Sequence, residues 1–127
     1  MIAAVSEPRI TLAVPALTGT WKNTNAASRG VVRLDIAADG NGLRITAHAG
    51  EPWGAAIAHA YSVDGFDCRD ALAFNCTFEL GVKDVRLQAN IKAGVLVIVF
   101  LTRFHDERAN VFTREFYYRS AQRRRNR

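Results

Sequence analysis

The sequence predicts an all-β chain that forms an eight-stranded antiparallel up-and-down β-barrel, with a flattened sandwich as the alternative. Three observations carry this expectation. Apolar residues recur at every second position along most of the chain, which is the period of a half-buried strand. The alternating runs are separated by short stretches rich in Gly, Asn, Asp and Pro, so neighbours in sequence become antiparallel neighbours in space. No stretch reads as a helix of useful length, and no internal repeat is present.

Residues 17–36, LTGTWKNTNAASRGVVRLDI, open with a first strand at GTWKN and a small polar loop. Over 30–38, Val32, Leu34 and Ile36 alternate with Arg33 and Asp35. Asp39-Gly40-Asn41-Gly42 supplies residues that tolerate positive φ, as a tight hairpin requires. Leu43, Ile45, Ala47 and Ala49 then oppose Arg44, Thr46 and His48. Gly50-Glu51-Pro52-Trp53 leads into a strand over 54–63, whose apolar parity holds Ala55, Ile57 and Val63 together with His59 and Tyr61. In 71–80, Leu72, Phe74, Cys76, Phe78 and Leu80 face away from Asn75, Thr77 and Glu79, and Val85, Leu87, Ala89 and Ile91 follow the same rule against Arg86, Gln88 and Asn90. Lys92-Ala93-Gly94 turns into 95–104, where VLVIVFL is apolar on both faces and so calls for a cover on both sides. Residues 9–17 or a second copy of the chain could supply it. Asp106 to Asn110 is a polar hairpin tip, and VFTREFYYR runs to Arg119.

A meander with one apolar face and no helices to cover it is completed by closing on itself, which removes both raw edges. At 127 residues with 49% apolar composition, one core suffices. The expected organisation is a single barrel domain over 1–118, with residues 1–16 as an extension packing on it and 119–127 as a basic, disordered tail. Of the formal charge of +5, all the excess lies in that tail: Arg119, Arg123, Arg124, Arg125 and Arg127 stand there without an acid, leaving 12 basic and 12 acidic side chains in residues 1–118. A neutral body with mixed charges argues against steering of a charged partner; the tail reads as a solubilising segment or a weak grip on acidic partners. Residues 1–17 lack the charged start and unbroken apolar core of a secretory signal. No run reaches membrane-spanning length, so the expected location is the cytoplasm with no membrane partner. Cys68 and Cys76 are expected as reduced, partly buried thiols.

LTGTWKN resembles the start of avidin-type barrels and the Gly-x-Trp opening of lipocalins, calycin-like families of eight-stranded meanders that hold small molecules inside. The resemblance covers these seven residues and the strand count. It implies ligand contact at Asn23, while the Ser that follows in avidins falls on Ala27, with Ser28 one place later. The later tryptophans that box the ligand in avidins are absent after Trp53, so biotin is not the implied ligand. Trp21-Lys22-Asn23, Pro52-Trp53-Gly54 and Thr102-Arg103-Phe104 together are also similar to short uncharacterised bacterial proteins, which carries no functional implication.

The candidate ligand-binding residues are Trp21, Asn23, Trp53, His59, Tyr61, Phe74 and Phe78. Small residues among the large apolar ones either let the sheet curve or leave a hollow that would suit a small apolar ligand, with His59 and Tyr61 as polar handles. The opposing expectation is a packed core, since eight strands enclose just enough room for side chains. Trp21 reads as a plug or a platform, and Trp53, in its Pro-Gly loop, as a lid or stacking surface. No nucleophile elbow, phosphate loop or metal-ligand spacing is present, so no catalytic residue, metal or cofactor is expected. His105-Asp106-Glu107 reads as a solvated turn, and Glu79 with Glu115 is the remaining carboxylate pair to consider. The function expected first is a small-molecule-binding barrel. The alternative is a non-catalytic interaction module that self-associates as a homo-oligomer through residues 95–118, where Phe112, Phe116, Tyr117 and Tyr118 accompany the doubly apolar strand.

Overall fold

The computed structural model describes residues 13–40, 42–62 and 71–121. These form eight strands: β1 (Gly19–Asn23), β2 (Arg33–Asp39), β3 (Gly42–His48), β4 (Pro52–Tyr61), β5 (Ala73–Glu79), β6 (Lys83–Lys92), β7 (Val95–Phe104) and β8 (Val111–Arg119). Each strand pairs antiparallel with the next, and β1 also pairs with β8, so the sheet is a closed up-and-down barrel rather than a sandwich. Closure runs through Trp21 opposite Arg119 and Asn23 opposite Tyr117. Cys68, residues 1–12 and the arginines beyond Ala121 lie outside the described residues.

Alternation sets the inside. Leu34 and Ile36 of β2, Leu43, Ile45 and Ala47 of β3, Phe74, Cys76 and Phe78 of β5, Val85, Leu87 and Ala89 of β6, and Leu96, Ile98 and Phe100 of β7 are all buried in one core. Their sequence neighbours point outward, as a pleat of period two requires. Removing these side chains from water is the main force holding the barrel, at roughly 25 cal/mol per Å² of apolar surface.

β4 departs from the expected parity. Ala56, Ala58 and Ala60 face the core, while Ile57 and Tyr61 are 55% and 49% exposed and His59 is also exposed. The cause is a bulge: Ala47 pairs with Gly54 and His48 with Pro52, so Trp53 has no cross-strand partner. Gly54 adopts φ 83°, a conformation that a side chain resists. The extra residue turns Trp53 toward the core and puts Ala56 and Ala58 opposite Ile45 and Leu43.

One end of the barrel is floored by the chain before β1. Val14–Thr18 makes a turn that puts Leu17 in the core, where its carbonyl accepts from Trp21 Nε1 at 2.9 Å. The Arg119 guanidinium donates to the carbonyls of Ala16 and Thr18 and lies 4.7 Å from the Trp21 ring centroid. Of the stretch 9–17 considered as a cover for β7, the described part thus spans the barrel end instead. β7 packs against β6 and β8, and its outward Val95, Val97, Val99 and Leu101 are half-buried between them.

Candidate functional site

Inside the barrel, the polar groups of Trp21 and Asn23 are engaged by the protein itself. Trp21 is buried with its indole N–H satisfied, and it is a plug above the Leu17 floor. Asn23 donates to the Val31 carbonyl at 3.0 Å and to Glu115 Oε1 at 2.9 Å, and its own oxygen accepts from the Asn25 amide at 2.8 Å. All its capacity except one acceptor lone pair is thereby used. Ser28 donates to the same Glu115 oxygen and accepts from the Gly30 amide. A Cβ at position 30 would meet Glu115 Oε2 at 2.7 Å, so a side chain there would displace the carboxylate. Tyr117 donates to Val31 O at 2.7 Å; burial first, and then the Glu115 charge, push its phenol well above the ordinary value.

The sequence offers Glu115 only as a partner for Glu79, not as a member of this cluster. Glu115 sits on the inward parity of β8, opposite Ile98, although its neighbours Arg114 and Phe116 made an outward place for it equally consistent. Glu79 pairs with Asp84 on the outward side of a different wall, so the two carboxylates do not face each other.

At the other end of the barrel, Trp53 and Phe78 meet with centroids 5.6 Å apart, and Lys83 Nζ lies 5.8 Å from the Trp53 ring. These two candidates are brought together; Phe74 is buried farther along β5. His59 and Tyr61 leave the set. His59 lies opposite Asn75, whose amide donates to the Tyr61 hydroxyl at 3.4 Å. His59 and Asn75, with Ile57, Thr77, Arg86 and Gln88, border a cleft of about 510 Å³ on the outer wall. Cys76 lies beneath it, and burial pushes its thiol up to about 12, which keeps it protonated and unreactive. Among the described residues no cluster of three metal-ligating side chains is present.

The outer surface is not uniform. On β2 and β3 the charges are matched: Arg33 and His48 both reach Asp35 at 3.1 Å, and Arg44 reaches Asp39 at 3.1 Å. Burial opposes ionisation of Asp35, yet hydrogen bonds from Thr20 and His48 with the Arg33 charge outweigh it and hold the carboxyl below its ordinary value. On β8 the outward side chains are Phe112, Arg114, Phe116 and Tyr118, and the three aromatics are 59%, 45% and 48% exposed. Val97 lies opposite Phe116 and Leu101 opposite Phe112, so the exposed rings stand beside an apolar floor. The aromatic run singled out in the sequence therefore divides, with Tyr117 inside and its neighbours outside.

These features define the protein's class as a closed all-β barrel with an apolar core and an aromatic outer face. Comparison with protein-family models, with curated proteins and with solved structures found no match.

Proposed function

We propose that this protein is a non-catalytic binding module whose binding surface is the outside of β7 and β8. The observation that carries this reading is the row of exposed aromatics on β8 beside half-buried Val97, Val99 and Leu101. Solvated sheet faces ordinarily carry polar residues, and a contiguous apolar patch marks an interaction site. The interior supports it from the other side, because Asn23 and Ser28 are engaged with Glu115, and His59 and Tyr61 lie outside. A closed eight-stranded wall is also compatible with an interior ligand, reached at the Trp53–Phe78 end.

Native mass spectrometry of protein purified from its host separates the two. The outer-face reading expects complexes that Phe116→Asp abolishes and no small molecule retained in stoichiometric amount. A retained small molecule that survives Phe116→Asp and is lost in Trp53→Ala would move the function inside.

A further inference from the structure

The charges around the aromatic row identify the chemistry of its partner. Acids and bases balance over residues 1–118, but several of the described acids are already engaged. Glu115 is turned inward, Asp35 and Asp39 are spent on β2 and β3, and Asp106 is held by Arg108 at 2.8 Å. What faces outward across β6, β7, β8 and β1 is then basic: Arg86 opposite Leu101, Lys92 opposite Val95, Arg103, Arg114 opposite Val99, and Lys22 opposite Tyr118. None of these five makes an ion pair among the described residues. Asp84, the acid on this face, is engaged by His105 at 3.0 Å.

We propose that this face binds single-stranded nucleic acid, with bases stacked along β8 and phosphates met by the flanking lysines and arginines. The inference rests on the outer-face reading and names its partner. Phe112, Arg114, Phe116 and Tyr118 are alternate residues of one strand, so their planar groups follow one another at roughly 7 Å intervals. Aromatic rings and guanidinium planes are the groups on which unpaired bases stack. Arg114 already lies 6.0 Å from the Phe112 ring centroid, in line with the row. A duplex has its bases paired and stacked within, and offers the rings nothing equivalent.

The same charges disfavour a second copy of this chain as the occupant. Two such faces brought together would set Lys22, Arg86, Lys92 and Arg114 against their own images, and like charges across an interface cost several kcal/mol. A polyanion gains from every one of them through counterion release. The chain also continues from β8 into a segment holding Arg123, Arg124, Arg125 and Arg127, which adds to the same sign.

The test is fluorescence anisotropy of the full chain with labelled single-stranded DNA and RNA of about a dozen nucleotides, and with the corresponding duplexes. Binding of single strands is expected to weaken about tenfold or more between roughly 50 and 200 mM salt. Phe116→Ala and Tyr118→Ala are each expected to weaken it at least about fivefold. Thr46→Ala, on β3 across the barrel, is expected to leave it unchanged. Both rings are half-exposed, and thermal melts of the variants verify folding. Duplex binding equal to single-strand binding and indifferent to both ring substitutions would overturn the proposal in favour of charge alone. Absence of binding together with a dimer that Phe116→Ala dissolves, read by analytical ultracentrifugation, would overturn it while leaving the outer-face reading intact. Absence of both would overturn the two together.

Discussion

His105 is held through both ring nitrogens: Nδ1 donates to the Gly81 carbonyl at 2.7 Å and Nε2 to Asp84 Oδ2 at 3.0 Å. Two acceptors require two ring protons, so the geometry selects the imidazolium. The Asp84 hydrogen bond first, and the Gly81 carbonyl second, raise its pKa above the ordinary value. A raised folded-state pKa means that this contact stabilises fully below the unfolded value near 6.5, and that the contribution is lost as pH rises through the folded value. The contact fastens the β5–β6 turn to the β7–β8 loop, beside the His105 amide that donates to Val82 O at 3.0 Å. Histidine titration followed by NMR is expected to show His105 titrating above 6.5, and Asp84→Asn is expected to bring it back down. An identical titration in the variant would refute this account of the turn. The adjoining Asp106 carboxyl, held by Arg108, is lowered to about 2 and stays ionised throughout that titration.

At the scale of the element, the β6–β7 hairpin shows a local imperfection. Ala93 and Gly94 both have positive φ, 53° and 80°. This is the backbone of a two-residue turn that matches strand twist, and it favours Asn-Gly. An alanine in the left-handed region costs about 1–2 kcal/mol. Ala93→Asn is therefore expected to stabilise the protein by about 1 kcal/mol, visible as a higher denaturant midpoint with an unchanged slope; a lower midpoint would contradict the turn assignment.

Strands were legible where large apolar side chains alternate with charged ones. Leu34 and Ile36 against Arg33 and Asp35 leave no choice of face, and the same holds for Leu43, Ile45, Val85 and Leu87. β4 was legible as a strand but not in its facing, because WGAAIAHAY alternates alanine with larger groups and size alone favours putting Ile57 and Tyr61 inside. A bulge at Trp53 and Gly54 reverses that preference, and alanines fit where Leu43 and Ile45 already fill the interior. Of the candidate residues, Trp53 and Phe78 lie in contact and Asn23 sits in a polar cluster. Glu115 completes that cluster from 92 positions away in sequence, a separation at which no local pattern carries information.

Over the whole molecule, the property least visible in the sequence is where charge accumulates. Net neutrality of residues 1–118 is a sum, and a closed barrel distributes its terms by direction. Ion pairs engage Asp35 and Asp39 on β2, a carboxylate turns inward on β8, and among the described residues the strands from β6 to β1 carry Arg86, Lys92, Arg103, Arg114 and Lys22 outside any ion pair, with Glu107 exposed in the β7–β8 loop. The barrel's rigidity matters to that surface. Tyr117 bonded to Val31, and Arg119 lying over the Trp21 ring while it donates to the Ala16 and Thr18 carbonyls, hold the strand that carries Phe112, Phe116 and Tyr118. Rings presented on a fixed strand lose little freedom when a partner stacks on them, which favours binding on an open sheet face.

On the proposed function, a partner meets the outside of β7 and β8. Backbone amide chemical-shift mapping during titration with a single-stranded oligonucleotide tests it most directly. The account predicts that shifts concentrate at residues 95–101 and 112–118 and extend to Lys22 on β1. Shifts concentrated instead around Asn23, Ser28, Trp53 and Phe78, with β8 silent on its outer positions, would place binding at the barrel interior and contradict the account.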